Sequence, residues 1–590
     1  MGDSCWNRLQ PVEPIMEPVN EKRWIIRDVD PAVAERLARE LAVAPLLARL
    51  LSGRGVADAD SGRRFLAATL ADIRDPLLLR GMSEAVERLG RARHLGETVC
   101  VYGDYDVDGI TATAMLVDFL RAAGFSCFYH IPHRLDDGYG LSAESIGAVA
   151  AQGARAIVTV DCGISAVAEA AYAASLGIDL IITDHHLPGP ELPLACAVID
   201  PLRPSCPYPF KALAGVGVAF NLLIALRGRL RREGAFAGRN EPNLREYLDL
   251  VALGTIADVV PLLDENRIFV KHGLQELTAA RRIGVRALKR VAGIDGEVGY
   301  GAVGFRLAPR LNAAGRLEDA SRAVELLLAT DEKRALSIAA ELDGHNSERQ
   351  DLERAILGEA LAMLAQDPTA AARKSIVLAA ADWHPGVIGI VASRLVEQFY
   401  RPTVLVALQD GEGKGSGRSI PAFHLHDALR ECSGHLQRFG GHKHAAGLAV
   451  AEEAVAGFAA RFEEVASRTL TADDLLPLLT IDAELAPAEV TAELAGLVGS
   501  LAPFGMGNPE PLFLLRGVTV LDRRILKEQH LKLRLEKDGC RFGAIGFNMA
   551  SRGGAAGERV DLVAAVQWNE WQGRRELQLQ LKDFRVAHEE

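Results

Sequence analysis

The spacing of hydrophobic positions predicts a helical segment followed by a layered α/β domain. Apolar residues recur at helical spacing over residues 21–95. From Glu97 onward, short β-branched runs alternate with alanine-rich helical stretches. The predicted strands cover residues 98–102, 156–160, 180–183 and 197–199, and predicted helices cover 110–123 and 166–176. This alternation predicts a mostly parallel sheet covered by helices, with ligands binding at the carboxyl ends of the strands.

The pattern beyond residue 210 predicts three further regions. Helical spacing returns at 213–226, 244–258 and 271–292, and a charged helical pattern from 318 to 365 predicts a long helix between two lobes. A second α/β unit follows, with predicted strands at 375–380 and 403–408 and a helix at 388–398. After residue 477, short strands among turns predict a small β-barrel or sandwich.

Composition narrows the class of protein. The chain has 590 residues, enough for about three or four domains, and its 49% hydrophobic and 24% charged residues are typical of a folded globular protein. The formal net charge of −12 argues against a uniformly basic nucleic-acid-binding surface but allows a local basic groove. Eight cysteines without a C-x-x-C pair argue against disulfides and a cysteine zinc site. With no apolar run of membrane-spanning length and no signal-peptide pattern, we expect a cytoplasmic protein.

An acidic motif follows the first predicted strand. Asp104, Asp106 and Asp108 alternate within GDYDVDG. Close carboxylates repel one another, and a divalent cation with a preference for oxygen ligands, such as Mg²⁺ or Mn²⁺, removes that repulsion. A solvated acidic turn is the alternative. A calcium-binding EF-hand loop is excluded, because its twelfth position, counted from Asp104, is Met115 rather than glutamate.

Further candidate ligands follow the next predicted strands. Asp161 ends one strand, and Asp184 is followed directly by His185 and His186 after another. The carboxyl ends of parallel strands meet at one edge of a sheet, so these side chains should lie together. Asp258 lies in an otherwise apolar segment, where a carboxylate needs a cation or strong hydrogen-bond donors. The four segments together predict a metal centre.

These segments resemble a known family. DYDVDG, VDCG, TDHH and LGTIADVVPL, in this order, are similar to the four motifs of the DHH phosphoesterase superfamily. The flanking segments HRLDDGYGLS, PRLNAAGRL and FGGHKHAAGL are similar to its bacterial RecJ branch, the single-strand-specific 5′→3′ DNA exonucleases. The resemblance covers most of the chain, and TDHH together with GGHKHAAG is its most specific part.

The resemblance implies two Mg²⁺ or Mn²⁺ ions that activate water and neutralise charge on the attacked phosphodiester. It implies catalytic roles for Asp106, Asp108, Asp161, His185, His186 and Asp258. Asp106 and Asp258 would hold one ion, Asp108 and His185 the other, and Asp161 would bridge them. Asp104 is a further candidate ligand, and Asp184 and His186 would orient ligands or contact the scissile phosphate. Tyr102 stands where related families carry a histidine.

Basic and glycine-rich segments are candidates for binding the strand. Arg310, Asn312 and Arg316 lie in PRLNAAGR, and an arginine fork suits phosphate oxygens. The segment 411–419 fails the P-loop pattern, but a glycine-rich turn carrying Ser416 and Arg418 can still offer a hydroxyl, a guanidinium and backbone amides. Further candidates are His442 and Arg134. We expect Arg134, Arg316, Ser416 and Arg418 to bind the 5′-terminal phosphate.

The resemblance also implies a domain order. We expect an N-terminal helical region (1–95), a DHH catalytic domain with a parallel sheet (96–265), a helical region with the long interdomain helix (266–370), a smaller α/β DHHA1 domain (371–470) and an OB-fold barrel that binds single strands (475–590). From Leu521 to the end the chain carries 13 basic and 11 acidic residues, and Phe542, Phe547, Trp568 and Trp571 offer stacking faces.

The predicted function is therefore a metal-dependent exonuclease that removes 5′-mononucleotides from single-stranded DNA in recombination and repair. A single-strand-binding protein and a helicase are expected partners by resemblance. Two alternatives remain open: a DHH-type phosphodiesterase for short oligoribonucleotides or cyclic dinucleotides, and a non-catalytic strand-binding DHH protein. The extra N-terminal and C-terminal regions favour a polymer substrate, and the intact acidic motifs favour an enzyme.

Overall fold

The computed structural model describes residues 16–19, 21–133, 140–317, 319–571 and 574–587, with the backbone alone at 316, 317, 570, 571 and 574. The strands are β1 (Arg23–Ile26), β2 (Thr98–Gly103), β3 (Ser126–His130), β4 (Ala154–Val160), β5 (Asp179–Thr183), β6 (Ala197–Ile199), β7 (Ile376–Ala380), β8 (Thr403–Gln409), β9 (Glu412–Arg418), β10 (Arg438–Gly441), β11 (Ala445–Ala451), β12 (Leu478–Ile481), β13 (Ala483–Glu484), β14 (Phe513–Leu526), β15 (His530–Lys537), β16 (Cys540–Gly546), β17 (Arg559–Trp571) and β18 (Arg574–Val586).

The α-helices are α1 (Pro31–Leu41), α2 (Pro45–Ser52), α3 (Ala59–Ala67), α4 (Met82–Leu95), α5 (Val107–Ala122), α6 (Ala143–Ala151), α7 (Val167–Ser175), α8 (Gly215–Arg232), α9 (Leu248–Ala257), α10 (Asp264–Ala279), α11 (Ile283–Val291), α12 (Tyr300–Ala302), α13 (Ala308–Leu317), α14 (Ser321–Leu328), α15 (Glu332–Gln366), α16 (Ile388–Phe399), α17 (Leu425–Glu431), α18 (Val455–Thr469) and α19 (Ala492–Gly499). None of the helices in the described part of the chain is both long and apolar enough to cross a membrane.

The chain forms two compact units, and the boundary between them falls within α15. One unit comprises residues 26–346 and 481–590, and the other comprises 1–25 and 347–480. Two predictions of helical segments need correction. Residues 23–26, expected to be helical, form the strand β1, which pairs with β12, and the expected helix from 318 to 365 is interrupted between α14 and α15. The apolar run of β1, Trp24-Ile25-Ile26, suits a strand as well as a helix.

The larger unit contains the predicted parallel sheet, with strand order β3-β2-β4-β5-β6. Helices α4, α5, α8 and α9 pack on one face and α6 and α7 on the other. Successive side chains of a strand point to opposite faces, so Val99 and Val101 pack with the first group and Cys100 and Tyr102 with the second. Both faces are covered, which explains the almost continuous apolar runs.

The C-terminal part of the larger unit is a closed five-stranded barrel. Its strands follow the order β14-β15-β16-β18-β17, and β17 pairs back with β14. The barrel core continues into the N-terminal helices, because Leu37 of α1 and Leu50 of α2 share a cluster with Phe513 and Leu533. The first and last parts of this unit therefore fold together.

The smaller unit contains a sheet of order β10-β11-β9-β8-β7, packed against α16 and α18. Residues 412–418, predicted as a glycine-rich turn, form β9, which pairs with β8 and β11. Glycines at 413, 415 and 417 make this possible, because they leave one face of the strand without side chains. Val406, Leu448 and Leu425 occupy the space that their side chains would fill. The sheet also uses the backbone amides that we expected to be available for a phosphate.

Candidate metal centre

The predicted acidic side chains follow strands that end at the same edge of the parallel sheet. Asp104 follows β2, Asp161 follows β4 and Asp184 follows β5. The parallel register places these ends side by side, because Gly103 pairs with Val160 and Val160 with Thr183. Asp258 comes directly after α9, which packs against α5 on one face of the sheet. The sequence and the fold thus bring four separate segments to one place.

Backbone amides of two helices, α5 and α8, hold the carboxylates of Asp106 and Asp108. Asp106 is the N-cap of α5, and its Oδ1 accepts hydrogen bonds from the N–H groups of Asp108 (2.9 Å) and Gly109 (3.2 Å). Asp108 is buried, and its two oxygens accept from Gly215 N–H (2.7 Å) and Val216 N–H (2.9 Å) at the start of α8. A helix N-terminus favours a negative charge, so α8 fixes the Asp108 carboxylate in orientation.

Asp161 has a left-handed backbone conformation, with φ of 64°. This conformation is uncommon for non-glycine residues but is tolerated by aspartate and asparagine, and it occurs preferentially at functional sites. The side chain is buried and lies against Gly215, where an added Cβ would come within 2.6 Å of Asp161 Oδ1. A larger residue at position 215 would therefore push the carboxylate out of place.

Asp184 is a hub of hydrogen bonds that orients the histidine pair. Its Oδ1 accepts from the backbone N–H groups of His185 (2.7 Å) and His186 (3.1 Å), and its Oδ2 accepts from Ile164 N–H (2.9 Å). His186 Nδ1 also lies 2.7 Å from Asp184 Oδ1. An imidazole held at Nδ1 in this way can donate from Nε2 to a ligand. Asp184 therefore positions its neighbours.

His185 lies at the centre of the cluster. Its Nε2 is 3.1 Å from Asp161 Oδ1, 3.6 Å from Asp258 Oδ2 and 3.9 Å from Asp108 Oδ2. His185 Nε2 and Asp258 Oδ2 are both buried and have no hydrogen-bond partner. Buried polar atoms are normally satisfied, and two facing ligand atoms without partners fit an ion that binds both.

Burial and like charge disturb the protonation of this cluster. Burial, together with the neighbouring Asp106, raises the pKa of Asp108 to about 7, and burial with Asp108 and Asp106 raises the pKa of Asp258 to about 9. Burial likewise raises the pKa of Asp161 well above its usual value. A cation would restore the charged forms, since it replaces repulsion by attraction. The donor set of carboxylates and imidazole fits Mg²⁺ or Mn²⁺.

The pKa values of His185 and His186 shift in opposite directions. Burial, with a smaller contribution from charged His186, lowers the pKa of His185 to about 4, so this imidazole is neutral and able to bind a metal. Burial opposes charge on His186 as well, but the hydrogen bond and the charge of Asp184 outweigh it and raise the pKa to about 9. The structure thus places a neutral imidazole and a cationic one side by side, with ring centroids 4.5 Å apart.

Among the residues that the structure describes, ligand atoms within 4.8 Å of one another form three groups: Asp108 with His185 and Asp258, Asp104 with Asp106 and Asp161, and Asp161 with His185 and His186. Asp161 and His185 each take part in two groups, as a ligand shared between two ions would. Asp258 groups with Asp108 and His185, whereas the resemblance implied that it shares an ion with Asp106. Asp104 is buried within the cluster.

The predicted strand-binding residues of the larger unit have structural partners. Asn312 Oδ1 accepts a hydrogen bond from Val107 N–H (3.2 Å), so Asn312 supports the turn between Asp106 and Asp108. Arg310 donates from Nε to Asp343 Oδ1 (2.8 Å) and from Nη1 to Arg306 O (2.6 Å). The side chain of Arg316 and all of Arg134 lie outside the described residues.

In the smaller unit, Ser416 and Arg418 lie on the same face of β9, since they are two residues apart. Arg418 Nη1 lies 3.2 Å from Ser416 Oγ. Gly389 of α16 approaches both, because an added Cβ would lie 2.7 Å from Ser416 Oγ and 3.0 Å from Arg418 Nη2. His442 is exposed in the turn between β10 and β11.

Sequence reasoning missed Asp200, which follows β6 at the same sheet edge. The side chain is buried, Oδ1 accepts from Leu202 N–H (2.6 Å) and Oδ2 has no hydrogen-bond partner. Burial raises its pKa to about 7. An aspartate directly after the fourth predicted strand, 197–199, was the available signal, but an aspartate followed by a proline is also common in ordinary turns.

Comparison with known families agrees with this geometry. Residues 98–255 match the model of the DHH family N-terminal domain, 373–468 match the DHHA1 domain and 481–583 match the RecJ OB domain. The fold and the cluster at the strand ends thus define a protein of the DHH family.

Two relatives and one solved structure show to which branch of the family the chain belongs. The chain is 41% identical over 578 residues to the single-stranded-DNA-specific exonuclease RecJ of Bacillus subtilis (96% of this chain, 71% of that protein) and 42% identical over 553 residues to that of Escherichia coli (91% and 95%). The crystal structure of RecJ from Thermus thermophilus in complex with Mn²⁺ aligns with a TM-score of 0.81 at 36% identity, covering 96% of this chain and 80% of that one. The chain belongs to the RecJ family.

Proposed function

We propose that this protein is a metal-dependent exonuclease that degrades single-stranded DNA from its 5′ end and releases 5′-mononucleotides. Relatives of about 40% identity are named single-stranded-DNA-specific exonuclease RecJ, and solved RecJ structures contain Mn²⁺ or Mg²⁺. The observation that carries the proposal is the pair of buried ligand atoms, His185 Nε2 and Asp258 Oδ2, which face each other at 3.6 Å without hydrogen-bond partners.

We assign two ion-binding positions from the grouping of ligand atoms. Asp108, His185 and Asp258 would hold one ion, and Asp104, Asp106 and Asp161 the other. Asp161 would contribute to the first ion as well, because its Oδ1 lies 3.1 Å from His185 Nε2. When bound, such ions activate water and stabilise charge on the attacked and leaving oxygens of a phosphodiester. The chain supplies the rigid frame, since amides of α8 fix Asp108 and amides of α5 fix Asp106.

His186 would contact the substrate directly. The hydrogen bond between Nδ1 and Asp184 orients the ring and leaves Nε2 as a donor. An imidazole that donates from Nε2 to a non-bridging phosphate oxygen would stabilise the negative charge that grows during hydrolysis. Asp184 acts through His186 and is a positioning residue.

The direction of attack requires a group that recognises a 5′ end. We assign this role to Ser416 and Arg418, a hydroxyl and a guanidinium on one face of β9. A terminal phosphate carries more charge than an internal diester and offers three free oxygens, which suits a guanidinium fork. Arg134, Arg310, Arg316 and His442 remain predicted strand contacts, and we assign Asn312 a supporting role at the metal-binding turn.

The expected setting is DNA recombination and repair in the cytoplasm, together with a single-strand-binding protein and a helicase. The support for these finer assignments is membership of the RecJ family. Physical association would be tested by passing the purified protein over immobilised single-strand-binding protein with and without DNA.

The test uses the full chain with Mn²⁺ and a 30-nucleotide DNA strand labelled at either end. We expect the 5′ label to appear as a mononucleotide at the earliest times, the 3′ label to remain on progressively shorter strands, and EDTA to stop both. Early release of the 3′ label would contradict the direction. Faster hydrolysis of dinucleotides than of 30-mers would favour the alternative phosphodiesterase.

A further inference from the structure

One aromatic side chain, on a turn that contacts α9, is unusually exposed. Phe305 is 79% exposed to solvent, the highest exposure among the phenylalanines of the described residues. It lies in a π-helical turn, Val303–Leu307, between α12 and α13. Val303 and Leu307 are fully buried in the core, so the turn is firmly anchored while the ring of Phe305 points outward. Single π-turns are rare and occur frequently at functional sites.

The segment that carries Phe305 packs next to two segments that supply candidate ligands. At one end, the π-turn contacts α9, the helix that ends directly before Asp258. At the other end, Asn312 accepts the hydrogen bond from Val107 N–H, between Asp106 and Asp108. The exposed ring therefore lies on a segment that packs beside two others that supply candidate ligands.

Two further exposed apolar side chains lie on segments that adjoin α9 or α12, two helices in contact with this turn. Val259, 51% exposed, follows Asp258 directly and has a φ of 61°, which is strained for a β-branched residue. Met506 is 50% exposed, and its carbonyl accepts from Leu262 N–H (2.7 Å). The neighbouring Gly505 lies against the ring of Tyr300, the first residue of α12. Met506 belongs to the connection from α19 to the barrel.

We propose that Phe305 stacks on a base of the DNA strand close to the scissile phosphodiester, and that Val259 and Met506 extend this apolar contact toward the barrel. The inference rests on the proposed function. A base in a single strand exposes both of its flat faces, and stacking on an aromatic side chain is a sequence-tolerant way to hold it. Bases in a duplex are already stacked and paired, so the same contact favours single strands.

The test is a double-mutant cycle in which one change is made in the protein and the other in the DNA strand. It uses the full-length protein with Mn²⁺. Phe305→Ala and Phe305→Trp are compared with the wild type on 5′-phosphorylated 20-nucleotide thymidylate strands. Each strand carries one abasic residue at one of the first six positions. Leu95→Ala is the matched control, because Leu95 is 61% exposed but lies at the end of α4, before the amino end of β2.

We expect Phe305→Ala to lower kcat/KM on the intact strand on the order of tenfold, while Phe305→Trp and Leu95→Ala stay within about twofold of the wild type. At the position that meets Phe305, an abasic residue should lower wild-type kcat/KM by a similar factor and have little further effect on Phe305→Ala. The inference would be overturned if the loss in kcat/KM from Phe305→Ala and the loss from the abasic residue multiplied at all six positions. It would also be overturned if Phe305→Ala had the wild-type kcat/KM on the intact strand.

A second readout does not depend on cleavage. Binding of the same strands in EDTA, followed by fluorescence anisotropy, should show the same non-additive pattern. If the wild-type protein bound the strands without cleaving them, the proposed function would fail, and the binding cycle would decide the inference alone. Absence of binding by the wild-type protein would overturn both.

Discussion

The metal cluster of the larger unit and the polar face of β9 in the smaller unit use opposite means to present charge. The cluster draws on segments far apart in sequence, and Asp108, Asp161 and Asp184 are buried. The polar face belongs to one strand, in which Ser416 and Arg418 alternate with glycines and remain partly exposed. Buried like charges need a counter-ion, whereas partly exposed charges are satisfied by water. The first arrangement suits metal-dependent chemistry, and the second suits reversible binding of a phosphate.

The comparison predicts its largest effect at Asp161. Asp161→Asn removes one charge from the site shared by two ligand groups, and asparagine tolerates the left-handed backbone, so the fold should persist. We expect kcat on single-stranded DNA to fall on the order of a thousandfold or more, with strand binding retained because phosphate contacts elsewhere dominate affinity.

Asp118→Asn is the control, since Asp118 lies near the far end of the same helix that carries Asp108. Rate measurements under single-turnover conditions, with circular dichroism to verify folding, check the prediction. Near-wild-type cleavage by Asp161→Asn would remove the support for the shared-ligand assignment.

A smaller and more selective effect is expected on β9. Arg418→Ala should raise the barrier by about 1–3 kcal/mol on 5′-phosphorylated strands, the typical scale of a hydrogen bond to a charged group. On 5′-hydroxyl strands the loss should be much smaller, because the terminal phosphate is absent. Values of kcat/KM for both substrates decide the matter, with Arg430→Ala as the exposed control. Equal losses on the two strands would indicate that Arg418 grips the strand without recognising its end.

The smallest effect concerns stability and pH. Folding raises the pKa of Asp108 to about 7 and of Asp258 to about 9, above the unfolded value of about 4, so the folded protein binds more protons in this window. The metal-free protein should therefore lose stability as pH rises from about 4 to 9. Metal binding requires deprotonated ligands, so the rise in Tm caused by Mn²⁺ should be several degrees larger at pH 8 than at pH 5.5. An equal rise at both pH values, measured by calorimetry, would contradict this.

The sequence pattern was sufficient to predict the parallel sheet and the position of the acidic cluster, because hydrophobic periodicity and side-chain chemistry agreed there. The parallel sheet and the meeting of Asp104, Asp161 and Asp184 at one edge follow from alternating strands and helices, because parallel strands end on the same side. The metal cofactor was also predictable, since repeated carboxylates after buried strands require a cation.

Other features depend on contacts that local pattern does not contain. Glycines at alternate positions of 412–418 resemble a turn, but they form β9 because neighbouring side chains fill the space they leave. The barrel suggested a self-contained C-terminal module, yet its core includes Leu37 and Leu50 from α1 and α2. Such packing joins segments more than 400 residues apart, and the local spacing of hydrophobic residues does not predict which distant segments meet.

Two ions that share Asp161 are the central feature of the proposed metal centre. Crystals grown with Mn²⁺ and measured at the manganese absorption edge would locate the ions by anomalous scattering. We predict two peaks, one bound by Asp108, His185 and Asp258 and the other by Asp104 and Asp106, with the Asp161 carboxylate contacting both. A single peak, or two peaks of which Asp161 contacts only one, would contradict the proposal that two ions share Asp161.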